Sequence, residues 1–394
     1  MNIDIIDKPD PFEFYSLSKI NTYTRCSNYY KCRYILGMKT PSGPSTLLGS
    51  IVHTALEIMY TAVKDGGSID KREVFKQALK EVLTSRGFLE ESTWNEIGED
   101  IFNCATILRN AYLRAASDYT GEDAIRTNSG SVAKCPEKTS AWRDYLRKSG
   151  RSLNKELLDI ALNAIELRNK FGRVSPTDII GEAYNMFVNY THPKSLANIK
   201  HIEYPISSYS KDKSKVVNPF KLPSSLVGDS DIYLMAFIDM VAEFEDGSVI
   251  LIDHKTNKTQ YDEKVIKVNT QLLLYSWVYE QITGEKVKYI GINNLRSNTL
   301  VYVPTPPEEY RWEIISCLFA SHKNIQNEEF VKHIPENYSP CLSSFGDLCP
   351  FLGYCWPGVA IDHGVTPIEY ISESSSSTQL DGDSDEDEED MLQI

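Results

Sequence analysis

Apolar and polar positions divide the chain into a helical beginning, a long helical middle, a strand-rich section and a last helix. Ser16, or alternatively Ser18, can cap a helix through Tyr34 that Gly37 ends. A second helix is expected after the turn Pro41-Ser42-Gly43-Pro44, over about residues 48–64, stopping at Gly66-Gly67. Residues 69–197 read almost throughout as amphipathic helix, with Leu153, Leu157, Ile160, Ala161 and Ala164 at helical spacing. This stretch is expected to be a helical insertion with a loop at 121–136. Near Ile232 the period changes to two. Alternation over 233–244, the turn Glu245-Asp246-Gly247-Ser248 and the apolar run 249–252 predict a β-hairpin. The next helix has Leu272, Tyr275, Tyr279 and Ile282 on one stripe and Gly284 as its stop. Strands follow at 287–293 and 299–303, and Pro307 opens a last helix as its first residue.

A chain of 394 residues allows two domains, or one with a large insertion. With 41% apolar and 24% charged residues the composition is that of a globular protein, and no uninterrupted apolar run nears the roughly 18 residues of a membrane span. No membrane partner is expected. The start, Met1-Asn2-Ile3-Asp4, lacks the basic flank and small-residue site of a secretion signal, so the expected localisation is intracellular and cytoplasmic, in a cell or of viral origin. In a reducing compartment eight cysteines read as metal ligands, redox groups or buried thiols.

The formal charge of −14 is concentrated at one end. Residues 361–394 hold 11 acids and no Lys or Arg, and setting them aside leaves the body at −3. This segment cannot bury apolar surface and is expected to be a disordered acidic tail. Its apolar tip, Met391-Leu392-Gln393-Ile394, suits a solubilising extension, a peptide that docks on a basic, apolar-lined groove of a protein partner, or a competitor for a polyanion channel of the same chain. By contrast, residues 138–173 carry nine Lys or Arg against four acids, with Trp142 and Tyr145 among them. That face is either solvated helix or a path for DNA, on which Arg143, Arg147 and Arg151 would meet phosphates.

The hairpin carries the candidate chemistry. Asp253 ends an apolar strand, Lys255 lies two residues on and so on the same face, and a twisted hairpin can bring Asp239 beside them. Two converging carboxylates repel unless a cation sits between them, and such oxygen ligands suit Mg²⁺ or Mn²⁺. A metal, a lysine and two acids are the parts needed for phosphodiester hydrolysis. A similar triplet, Asp262-Glu263-Lys264, follows no strand and reads as a decoy. Gln271 and Tyr275, four apart on the following helix, could reach the lysine or a DNA backbone. On the second helix Gly49-Ser50-Ile51-Val52-His53 offers a neutral imidazole that could complete a metal shell.

Residues 49–53, Phe237-Ile238-Asp239, Ile252-Asp253-His254-Lys255 and Gln271-x-x-x-Tyr275 stand in the order of the RecB-type branch of the PD-(D/E)xK nuclease superfamily, which the chain resembles. It is most similar to members with an iron–sulfur cluster: CRISPR-associated RecB-like exonucleases, the AddB nuclease domain and related viral enzymes. The resemblance implies an α/β fold, a small mixed sheet flanked by helices, in a unit of residues 1–360. It implies a metal held by His53, Asp239, Asp253 and the backbone carbonyl of His254, with Lys255 catalytic and Gln271 and Tyr275 supporting the site or the DNA. The expected function is metal-dependent DNA cleavage, exonucleolytic on single strands or duplex ends, in repair, recombination or replication. The alternatives are a non-catalytic DNA-binding or assembly subunit and a sequence-specific endonuclease. Ala236 and Phe237 depart from the small or basic residues usual before the first aspartate, which keeps Asp229 and Asp231 as alternatives to Asp239.

Cys341, Cys349 and Cys355 lie within 15 residues after the last helix, in a cysteine segment at 335–358, and Cys26 lies in the first helix. Thiolates from both ends meeting at one cofactor would clasp the termini together. In the clustered relatives one early and three late cysteines bind a [4Fe–4S] cluster. Here seven residues separate Cys341 from Cys349 where two are usual; zinc is the alternative, although C-x₂₋₄-C pairs are absent. Cys32 competes with Cys26, and on a continuous helix the two would stand about 240° apart; the resemblance selects Cys26. Cys104, Cys135 and Cys317 read as ordinary thiols.

Overall fold

A computed structural model of the chain describes residues 5–7, 12–38, 44–103 except 65, 68, 88, 97 and 100, then 176–209, 215–335, 341 and 348–362. The expected loop at 121–136, the basic face at 138–173, the stripe from Leu153 to Ala164, Cys104, Cys135 and the tail from 363 lie outside these residues.

The strand-forming segments build one five-stranded sheet whose spatial order follows the sequence: β1 Leu196–Ile206, β2 Ala236–Phe244, β3 Val249–Lys255, β4 Val287–Asn294 and β5 Thr299–Pro304. All neighbours are antiparallel except β3 and β4, which run parallel. A parallel pair needs a crossover, and helix α6, Thr270–Thr283, supplies it. The β2–β3 turn closes at Gly247, whose φ of +76° is open to glycine without a side-chain clash. Gly284 caps α6 in the left-handed region, as expected.

Two helical layers cover the sheet. On one face α6 packs on Val241, Leu251, Ile290 and Ile292, with α7, Glu308–Leu318, alongside. On the other, α3 (Pro44–Lys64), α4 (Lys71–Ser85) and α5 (Pro176–Asn189) pack on Met240, Ala242, Ile250 and Ile252. Strands buried on both faces read as apolar runs, which is why 249–252 was legible. The segment Ser45–Lys64 of α3 is long and apolar enough to cross a bilayer. Its apolarity has a local cause: Leu47, Ile51, Val52, Ala55 and Leu56 are buried among the sheet, α4 and α5, each large side chain contributing about 1.5–3 kcal/mol.

Five expectations need correction. The first helix is not continuous: α1, Leu17–Arg25, capped by the Ser16 hydroxyl, stops at an extended Cys26, and the chain restarts as α2, Ser27–Tyr30, then a π-helical turn, Lys31–Ile35. Helix α3 begins at Pro44, four residues early, because proline suits a first turn. Residues 196–206, read as the end of the helical stretch or left unassigned, form strand β1. Tyr233–Leu234 is no part of the hairpin; it joins a separate small sheet with Phe14–Tyr15 and Phe220–Lys221. Helix α6 is buried on every side from Leu272 to Glu280, whereas Ile282, assigned to its apolar stripe, is 42% exposed.

Candidate active site

Register brings three carboxylates into a row. Met240 of β2 pairs with Ile252 of β3, so Asp239 and Asp253, one residue further out on each strand, come abreast. Ile202 and Tyr204 of β1 pair with Met240 and Ile238, which sets Glu203 abreast of Asp239. Asp239 and Asp253 are buried, and Glu203 is half-buried. Glu203 has φ +45°, a left-handed conformation that costs a non-glycine residue on the order of 1–3 kcal/mol and clusters at functional sites.

Helix α3 lies against this row. The His53 Nε2 stands 3.1 Å from the carbonyl oxygen of His254, and its Nδ1 is 3.8 Å from Asp239 Oδ2. Asp239 Oδ2 also accepts the His254 backbone N–H at 2.5 Å. The Lys255 ammonium is 3.1 Å from Asp253 Oδ2 and donates to Gln271 Oε1 at 3.4 Å. Gln271 is placed by the first turn of α6, which the Asn269 side chain caps. Tyr275, one turn on, is 8% exposed and packed in the core between α6 and the sheet.

The side chain of His254 points through the sheet, away from Asp253 and Lys255, as alternation requires. Burial, then the neighbouring His53, Lys255 and His192, pushes its pKa down to about 3, so the ring is neutral.

The donor set fits a hard divalent cation. Ligand atoms of His53, Glu203 and Asp239 lie within 4.8 Å of one another. The 3.1 Å between His53 Nε2 and the His254 carbonyl matches two adjacent ligands of an octahedral ion with bonds of roughly 2.1 Å. Of the expected ligands, His53, Asp239 and the His254 carbonyl are gathered here. Asp253 stands beside them, against Lys255. Glu203 is an addition that the sequence reading missed, because β1 was not recognised. Its signal was present in Ile202, Tyr204 and Ile206, which alternate around Glu203. The rival acids stand elsewhere: Asp229 is exposed and Asp231 pairs with Lys221 at the surface. Asp262 of the decoy triplet caps a short helix by accepting from the Val265 N–H at 2.9 Å.

The break at Cys26 reshapes the cysteine site. Cys26, Cys341, Cys349 and Cys355 line one pocket together with Asn28, Tyr29 and Phe351. The 240° argument assumed a continuous helix and does not hold. Cys32, fully buried, hydrogen-bonds to Cys355 without lining that pocket. The Asn28 amide donates to Cys355 Sγ at 2.9 Å and reaches Cys32 Sγ at 3.8 Å. The Cys32 hydrogen bond, opposed by burial and helped by Asn28, holds Cys355 down at about 7, while burial pushes Cys349 up to about 12. Cys317 is exposed on α7. Among the described residues, the groups that crowd within 4.8 Å include no set of three cysteines. A tetrahedral zinc with Zn–S bonds of about 2.3 Å would need such crowding.

Compared with known families, residues 15–127 and 139–356 match the model of the PD-(D/E)XK nuclease superfamily. No curated protein matches the chain.

Proposed function

The chain belongs to the PD-(D/E)XK nuclease superfamily and is on that ground a nuclease, a phosphodiester hydrolase; from this premise we propose that it is a metal-dependent DNA exonuclease of the RecB type, with a structural [4Fe–4S] cluster, acting on single strands or duplex ends. The observation that carries the cleavage reading is the row Glu203, Asp239 and Asp253, with His53 above it and Lys255 beside it.

His53, Glu203, Asp239, Asp253 and the His254 carbonyl would hold Mg²⁺ or Mn²⁺. When bound, the ion supplies Lewis acidity at a phosphate oxygen and a more acidic water. The protein's own groups do the rest. Asp253 and Gln271 hold the Lys255 ammonium in place, so that its protons can orient the attacking water and offset the charge that develops on the phosphate. Asp239, fixed by the His254 N–H, ties the ends of β2 and β3 together beside His53. Burial of these groups strengthens each interaction relative to water.

Glu203 is expected to be a working ligand. Glu203→Gln should weaken Mn²⁺ binding at least about tenfold by calorimetry, while relief of the like-charge crowding with Asp239 leaves the unfolding midpoint unchanged or raised.

The exonuclease part rests on the resemblance and on the cysteine pocket. Cys26, Cys341, Cys349 and Cys355 are the proposed cluster ligands; Cys32, which touches Cys355 from outside the pocket, is not one of them. A matched pair of substrates tests the reading. With Mn²⁺, end-labelled linear DNA should be degraded and covalently closed circular DNA left intact. Cutting of the circle would make the protein an endonuclease, and intact linear DNA would leave a binding subunit.

A further inference from the structure

The backbone of His254 is held on both sides, by α3 at its carbonyl and by β2 at its N–H. Its carbonyl meets His53 at 3.1 Å, and its N–H meets Asp239. Its ring, 3% exposed on the opposite face of the sheet, enters a second set of contacts. Strand register places Asn293 of β4 directly beside His254, and the Asn293 amide reaches the imidazole Nδ1 at 3.3 Å. The same amide nitrogen donates to the Tyr190 hydroxyl at 3.4 Å. Tyr190 shares a 2.5 Å hydrogen bond with Tyr60, whose hydroxyl also meets His192 Nδ1 at 3.0 Å. Tyr60 lies seven residues after His53, two turns along the same face of α3. One helix therefore reaches one peptide twice, directly through His53 and indirectly through Tyr60, Tyr190 and Asn293.

Apolar side chains would fill this space without the desolvation cost of four buried polar groups. What a polar string adds is direction: a hydrogen-bonded imidazole cannot rotate freely about its side-chain bonds, and a fixed side chain fixes the peptide that bears it. The carbonyl of that peptide is one of the atoms facing the metal position.

We propose that the buried string His254–Asn293–Tyr190–Tyr60 is a positioning device for the nuclease centre, keeping the His254 carbonyl aimed at the divalent ion and tying metal affinity to the packing of α3 on the sheet. The proposal rests on the metal-dependent reading above. Outer partners of metal ligands commonly change affinity by about 10–100-fold when removed, and the string is expected to act in that range.

The test uses the full chain and Mn²⁺ itself. Asn293→Leu keeps the branching of the side chain and removes both hydrogen bonds; Tyr190→Phe removes a single hydroxyl, leaves the ring in place and guards against a variant that fails to fold. Each is measured by calorimetric Mn²⁺ titration, thermal unfolding, and cleavage of linear DNA as a function of Mn²⁺ concentration. The expected result is weaker Mn²⁺ binding by about 10–100-fold for Asn293→Leu and a shift in the same direction for Tyr190→Phe. Cleavage should return when Mn²⁺ is raised to saturation. Unchanged Mn²⁺ affinity in both folded variants overturns the proposal and leaves the string as ordinary core. A wild-type protein that neither binds Mn²⁺ nor cuts DNA overturns the metal-dependent reading first, and the positioning role falls with it.

Discussion

Lys255→Ala is expected to lower the single-turnover cleavage of labelled linear DNA by about 10²–10³-fold with Mn²⁺ saturating. The ammonium sits 3.1 Å from Asp253 and 3.4 Å from Gln271, on the face of β3 that carries the acids. A protonated amine has no lone pair with which to ligate a cation, and this one is well placed to act on water or phosphate. Its loss removes a group that works chiefly in the transition state, so the rate should fall much more than substrate affinity. Mn²⁺ binding should persist and tighten, because Asp253 is freed from its ion pair. Gln271→Ala, which removes only one of the two groups holding the lysine, should cost less in the same assay. Equal rates for wild type and Lys255→Ala would remove hydrolysis from this site.

The second large effect concerns the cysteine pocket. Anaerobically purified protein is expected to carry about four iron and four sulfide per chain. Cys26→Ser, Cys341→Ser, Cys349→Ser and Cys355→Ser should each lose most of both, whereas Cys32→Ala should keep them. The clasp joins positions near opposite ends of the described chain, and cross-linking a loop of that length is worth roughly 5 kcal/mol of chain entropy. Cluster loss should therefore also lower the unfolding midpoint and expose the α1–α2 region to protease. Stoichiometric zinc with no sulfide would contradict this assignment. Iron lost from Cys32→Ala and retained by Cys26→Ser would exchange the roles of the two early cysteines.

Much of the sheet, and the strand that carries Asp253 and Lys255, was legible because burial on both faces writes itself into sequence. Residues 249–252 are an apolar run, and Asp253 and Lys255 stand out at its end. The turn at Gly247 and the stop at Gly284 were readable because each position has a positive φ. Strand β1 was not, since it is an edge strand with most side chains half-exposed and polar residues such as Lys200, His201 and Glu203 along it. Missing β1 meant missing Glu203, the third carboxylate of the row. The break at Cys26 was equally hidden: no proline or glycine marks it, and the Cys26 side chain itself accepts the Tyr29 N–H at 3.4 Å as the cap of α2. The string behind His254 depends on register between β3 and β4 and on α3 meeting the segment after α5, relations that no local pattern carries.

The central claim is that His53, Glu203, Asp239 and Asp253 hold a divalent ion beside Lys255. Its most direct test is a crystal of the full chain soaked in Mn²⁺, with anomalous scattering recorded at the manganese edge. A single strong peak is predicted in coordination range of His53, Glu203, Asp239, Asp253 and the His254 carbonyl. A map with no peak there, or with manganese bound only at the surface, would contradict the account.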